Sequence, residues 1–349
     1  VSMPMVHAGP VRAYPLPRDF RVGMSELRPA FAGLRSPECI LANHEGAFLM
    51  SDRRGGFTAI APDGRARLVR GATLAGGPLH ANGIALRGNG CVLVAHLGDT
   101  DGGVYELGAD GPAVPVVTAL EGRPLPPTNF VLEDAEGRVW FTVSTRRIPR
   151  MAAWYPDVAD GYIAVHDERG TRIVADGLGY ANELAFSPDG RFVYVNETHA
   201  RRLSRFRLRP GPRLTDRETV CEFEPGDQPD GVCFDAFGGA WLTCIVSNKV
   251  YVVRPDGERQ LVLADTDNAH VRRYVSDLEA RCLQRDSIWT CGSSGLGNVS
   301  SLCFAGPERR TVYLGSLLGE RVLSFDSPVP GMAPLHWQRR YAAGVGPGA

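Results

Sequence analysis

The sequence predicts an all-β fold, a six-bladed β-propeller with a short helical insertion before the last blade. Three observations carry that expectation. A turn residue followed by a short apolar strand recurs six times, the recurrences fall mostly near the length of one blade, and 41 Gly with 26 Pro in 349 residues favour many turns over long helices.

Residues 1–35 are Pro-rich and weakly patterned, and are expected to form an N-terminal arm packed on the propeller, which occupies 36–349 as one domain. The repeated second strands follow Gly46 (AFLMSD), Gly90 (CVLVAH), Gly137 (RVWFTVS), Gly190 (RFVYVNE), Gly239 (AWLTCI) and, in glycine's place, Arg310 (TVYLGS). Successive spacings are 44, 47, 53, 49 and 71 residues. Third strands such as Phe57-TAI, Gly103-VYEL and Lys249-VYVV run into Gly-containing turns, and weaker fourth strands follow, as in Gln260-LVLA. Four strands repeated radially make a propeller. The long last spacing holds an insertion over about 266–297. Within it Val271, Tyr274, Val275, Leu278 and Cys282 recur at helical spacing, which predicts a helix covering the propeller rim or a lid over a site. A C-terminal tail follows from about 327 to 349.

A net charge of −1 leaves no global field for nucleic acid or an anionic membrane, so neither is expected as a partner. The arginine-rich stretches Arg146 to Arg150 and Arg201 to Arg209 read as solvated surface in a chain whose single lysine is Lys249. The eight cysteines form no CxxC pair and sit mostly in apolar runs, as buried thiols of a reducing compartment do. No signal-peptide core stands at the N-terminus, and no run reaches the ~20 apolar residues of a membrane span. A cytoplasmic monomer or homodimer is expected.

Counting back from the turn residues locates the chemistry. Eight residues before Gly46, Gly90, Gly137 and Gly190 stand Glu38, Asn82, Asn129 and Asn182; nine before Gly239 and Arg310 stand Asp230 and Ser301. First strands of propeller blades line the central channel, so these in-phase residues are expected to converge on one axis. Two acids among amides offer only oxygen donors. That suits a hard divalent cation, Ca²⁺ first, with Zn²⁺, Mg²⁺ or Mn²⁺ as alternatives. His80, two residues before Asn82, and His96 and His199, which close second strands, are second-tier acid-base candidates. Phe130 and Tyr180, beside in-phase asparagines, are candidate pocket walls, whereas Trp140, Tyr194 and Trp241 belong to blade cores.

At Pro37-Glu38, Thr128-Asn129, Ala181-Asn182 followed by AFSPDG, Pro229-Asp230-Gly231 and Ser300 to Gly306, the sequence resembles the gluconolactonase and senescence-marker-protein (regucalcin) family, over about residues 36 to 326. The resemblance implies a six-bladed propeller with one channel-bound divalent cation held by Glu38, Asn182 and Asp230. Asn129 matches a position that contacts substrate or gives a fourth oxygen. The reaction expected is hydrolysis of a small-molecule lactone or ester, with Asp230 as ligand first and as general base, or secondarily nucleophile, and Asn129, Asn82, His80, Phe130, Tyr180 and Ser301 as substrate-binding candidates. Pro127 and Phe130 stand where regucalcin-type lactonases carry an arginine and an acid, which moves the expected substrate from an aldonolactone toward a more apolar lactone or ester. Phosphotriester or fluorophosphate hydrolysis on the same metal site, and a non-catalytic NHL-like binding platform, are the alternatives. The acids at 38 and 230 argue against a metal-free strictosidine-synthase-like chemistry.

Overall fold

The computed structural model describes residues 13–342. The outer parts of the expected arm and tail, 1–12 and 343–349, lie outside the described residues.

Six four-stranded antiparallel sheets form the blades of a propeller. Their innermost strands are Ile40–Ala42, Ala81–Leu86, Thr128–Glu133, Ala181–Phe186, Asp227–Phe234 and Val299–Ala305. The second strands, Phe48–Asp52, Val92–Leu97, Val139–Val143, Phe192–Glu197, Ala240–Val246 and Thr311–Ser316, are the repeats seen in the sequence. They form where β-branched and aromatic residues alternate between glycine-bearing turns. Trp140 and Trp241 are fully buried in blades 3 and 5. Each donates its indole N–H to an aspartate closing the preceding turn, Asp134 at 2.7 Å and Asp235 at 2.9 Å. The same aspartates accept backbone N–H groups within their turns, from Glu136 and Arg138 and from Phe237 and Gly239, so one carboxylate ties hairpin geometry to blade core.

The sixth blade corrects one expectation. Its outermost strand is Arg28–Ala32, from the stretch read as an arm, and it pairs with Arg321–Asp326 to close the ring. The strand escaped notice because it lies at an edge, carries Pro29 and buries little: its alternation is weak.

The expected helix is Asn268–Glu279. Asp267 caps it, accepting N–H groups from Ala269 and His270, and it buries His270, Tyr274 and Leu278 at four-residue intervals.

Innermost strands run away from one face of the propeller; second and fourth strands return to it. That face, the mouth, therefore collects the starts of the innermost strands, the long excursion 144–160 in blade 3 and the insertion 265–298. The tail crosses the opposite face, where Arg339 donates to the carbonyls of Leu86 and Asp134 and Asn43 donates to the Arg339 carbonyl. Between tail and mouth lies a cavity of about 520 Å³ walled by Ile84, Leu86, Phe130, Leu132, Phe186 and Phe304.

Candidate functional site

Five of the six innermost strands carry a β-bulge where they start. Each register shift encloses a residue that counting had singled out or its neighbour: Asn82, Asn129, Asn182, Asp230 and Ser300. A bulge inserts one extra residue and turns a side chain out of the regular alternation. Here it aims polar groups at the axis while the strand beyond keeps its apolar faces in the blade. Glu38 precedes the innermost strand of blade 1.

The structure brings these residues together. The Asn82 amide donates to the Asn129 carbonyl at 3.0 Å and lies 3.3 Å from its Oδ1. Asn182 donates through Nδ2 to Thr198 Oγ1 at 3.0 Å, and its buried Oδ1 has no hydrogen-bond partner among the described residues. Thr198 in turn donates to the Pro229 carbonyl at 2.8 Å. Asn196 donates to the carbonyls of Asp230 and Gly231 at 2.9 and 3.0 Å. Two neighbouring strands are thus tied together through the backbone that carries Asp230.

The acids face one another across the channel. Burial raises the Asp230 carboxyl well above the usual range, and the Glu38 and Glu183 charges add to it, against the Asn182 amide. Glu38 is pushed up to about 7 by burial, opposed by Arg150, the Asn82 amide and Arg53. Glu183 is pushed up to about 8, again by burial, while an N–H donated by Val232 at 3.0 Å pulls the other way.

Glu183 was missed by the phase count, which took one residue from each strand. The bulge between Ala181 and Leu184 turns both Asn182 and Glu183 out of register. An acid within the apolar run ANELAF was the available signal.

Two expected substrate contacts lie deeper in the channel. Phe130 sits beyond the bulge in regular strand alternation, so its ring packs into the core and walls the deep cavity instead of the mouth. Ser301 also lies past the bulge; it hydrogen-bonds Glu183 and borders that cavity.

Tyr180 is on the mouth side. Its hydroxyl accepts from Trp154 Nε1 at 3.1 Å, and its ring meets His199 edge-on at 4.5 Å. His199 is buried, its Nδ1 is unpartnered among the described residues, and burial lowers it to about 3, so it is a neutral imidazole. His96 accepts the His80 backbone N–H at 2.9 Å, which directs its other nitrogen toward Asp101. His80 itself is exposed, 5.7 Å from the His96 ring.

The excursion of blade 3 and the helical insertion share one apolar cluster over the mouth, including Trp154, Tyr180, Tyr274 and Leu278, with Trp289 packed against it. Arg281 of the insertion pairs with Asp157 of the excursion at 3.0 Å.

The donor set fits a hard cation. Its ligating atoms are all oxygens, two acids repel each other in a buried channel, and the Asn182 Oδ1 is held without a donor. Among the described residues no three His, Cys, Asp or Glu side chains gather as a metal-ligating group, so amide oxygens complete any such set.

Fold and site together define a six-bladed propeller with an acid-and-amide centre at one end of its axial channel. The chain belongs to the family described as SMP-30/Gluconolactonase/LRE-like region, which matches residues 23–271. A strictosidine synthase-like protein of Arabidopsis thaliana is 28% identical over 153 residues, 42% of this chain and 37% of its own length. A 6-deoxy-6-sulfogluconolactonase of Pseudomonas putida is 30% identical over 109 residues, 30% of this chain and 38% of its own. The chain therefore spans little more than a third of either relative. Among solved structures, a calcium-binding regucalcin from Agrobacterium tumefaciens superposes with a TM-score of 0.60 at 16% identity, over 90% of this chain and 95% of that one, a likeness of fold.

Proposed function

We propose that the chain is a metal-assisted hydrolase that opens a lactone, with Glu38, Asn182 and Asp230 holding one divalent cation, Ca²⁺ first among candidates, and Asn129 supplying a further oxygen or a substrate contact. The observation that carries this reading is the buried Asn182 Oδ1, which has no partner among the described residues and lies beside two mutually repelling acids. A bound cation supplies Lewis-acid polarisation of the ester carbonyl and offsets the charge of the oxyanion that forms there.

The chain's own groups do the rest. Asp230 accepts a proton from the attacking water as its oxygen bonds to the carbonyl carbon; the ring C–O bond then breaks and the alkoxide takes that proton. The Asn82 and Asn129 amides, fixed on each other, orient the ester. Trp154 and Tyr180 exclude bulk water from the mouth. Ligation and base catalysis compete at one carboxylate, since a cation-bound carboxylate is a weaker base, so ligation is its first role. The same reading takes a small lactone or ester as partner and a reducing, cytoplasmic setting for the eight free cysteines.

The test is turnover of aldonolactones, simple γ-lactones and aromatic lactones by the protein as purified, after chelation, and after Ca²⁺ is returned, with metal content measured throughout. Activity lost on chelation, restored by Ca²⁺ and abolished in Asp230→Ala is expected. Wild-type lactone turnover and metal content in Asp230→Ala would overturn the reading.

A further inference from the structure

Three guanidinium groups gather at the mouth, none of them in an ion pair among the described residues. Arg53 follows the second strand of blade 1, Arg150 opens a short 3-10 turn in the blade 3 excursion, and Arg285 lies in the insertion before blade 6. The Arg53 guanidinium sits 4.1 Å from the centre of the Trp289 ring and that of Arg285 5.7 Å from the same ring, so one indole gathers two like charges. The Arg150 charge opposes the upward push on Glu38 and adds to the lowering of His199, so it is felt at the donor set.

Their neighbours are paired. Arg54 meets Asp52, Arg146 meets Asp176, Arg147 meets Asp160 and Arg281 meets Asp157, while Arg53, Arg150 and Arg285 form no ion pair among the described residues. The nearby acids do not satisfy them. Although Arg53 is exposed, partial desolvation of its guanidinium and then the Arg285 and Arg150 charges lower it from its usual value, with Glu38 and Asp99 opposing. Arg53 and Arg285 are exposed and are gathered by cation–π contact with the one Trp289 ring. Arg150 departs from the solvated role expected of its stretch.

We propose that Arg53, Arg150 and Arg285 form an anion-recognition rim, and that the ring-opened substrate is a lactone or ester bearing a second, permanently negative group such as a carboxylate, sulfonate or phosphate. Planar guanidinium forks from three separate elements suit an oxyanion, which each grips through paired N–H donors. The proposal rests on the lactone reading for the reacting end of the substrate and adds the chemistry of the other end. The arginine missing at Pro127 is thus replaced in kind, though not in place, by groups from other elements.

The experiment compares kcat/KM for a neutral γ-lactone and for the same ring carrying a carboxylate, with sulfonate and phosphate versions as further arms, in wild type and in Arg150→Gln, Arg53→Gln and Arg285→Gln. A parallel arm measures binding of a carboxylated lactam, which is not turned over, by calorimetry. Wild type is expected to prefer the anionic lactone, and each substitution to cut that preference about 10-fold or more through KM and not kcat. Raising salt is expected to erode it as well. Equal kcat/KM for neutral and anionic lactones, unaltered by all three substitutions, would overturn the rim while leaving the lactonase reading intact. Arginine-dependent binding of the carboxylated lactam with no turnover of any lactone would uphold the rim and sink the lactonase reading. Unchanged unfolding temperatures in the variants separate lost recognition from lost fold.

Discussion

Thr198 decides which way the Asn182 amide faces. Its hydroxyl accepts from Asn182 Nδ2 at 3.0 Å and donates to the Pro229 carbonyl at 2.8 Å, so the amide oxygen is left for the channel and the strand bearing Asp230 is fixed beside it. Groups that orient ligands in this way matter nearly as much as the ligands, and their loss costs about 10–100-fold in metal affinity or activity. Thr198→Val keeps the shape and removes both hydrogen bonds. Cation binding measured by calorimetry is expected to weaken by about that factor, with a stability loss of about 1–2 kcal/mol in denaturant titrations. Undiminished affinity would count against Asn182 as a ligand.

Blade 4 is held by a different device, a buried carboxylate at the end of its second strand. The Glu197 side chain is wholly inaccessible and receives Arg202 at 2.9 and 2.8 Å, Arg217 at 2.6 and 2.7 Å, Ser204 at 2.5 Å and the Gly179 N–H at 2.6 Å. Burial pushes its carboxyl up, but the Arg202, Ser204 and Gly179 hydrogen bonds with the Arg217 charge outweigh it, and the group ends below its usual range. A depressed carboxyl stabilises the fold fully above its unfolded value of about 4.3 and loses that contribution as pH falls through the folded value. Glu197→Gln is therefore expected to cost about 2–4 kcal/mol at pH 7, the arginines being partly solvated. The gap between wild type and variant in thermal unfolding is expected to narrow below pH 4.3 or so. The same scale shows what the sequence made legible. Turn glycines and apolar second strands recur locally, so the blades and the phase of Glu38, Asn82, Asn129, Asn182 and Asp230 could be read by counting. The bulges could not, because an extra residue leaves no mark in composition; Glu183 was missed and Phe130 and Ser301 were set too near the mouth for that reason. Arg53, Arg150 and Arg285 lie in connections, where no period links residues that meet only in space.

Closure of the ring belongs to the whole molecule. Arg28–Ala32, nearly three hundred residues from its partner Arg321–Asp326, completes blade 6, so the first described strand holds the last blade in place. Phe31 packs on Phe48 of blade 1 at 4.7 Å and on Tyr313 of blade 6 at 6.0 Å, and Phe48 meets Tyr313 at 4.7 Å. The aromatic trio thereby joins the closing strand to the first and last blades. A chain shortened to begin at residue 33 would leave Arg321–Asp326 as an open edge, its N–H and C=O groups free to pair with another chain. It would also lose Leu16 and Val22 from the core of blades 5 and 6 and the Tyr14 hydroxyl bond to Asp235. Burying two such aliphatic side chains contributes about 3–6 kcal/mol, a large share of the ~5–15 kcal/mol that separates a native domain from its unfolded chain. The shortened chain is expected to unfold at markedly lower denaturant and to aggregate in proportion to its concentration, as light scattering would record. Phe31→Ala in the full chain separates the two effects, because it keeps the edge covered and removes only the aromatic joint: it is expected to lower stability by about 1–3 kcal/mol for a half-buried ring without promoting aggregation. A shortened chain as stable and as soluble as the full one would mean that the ring is held shut by the contacts between neighbouring blades alone.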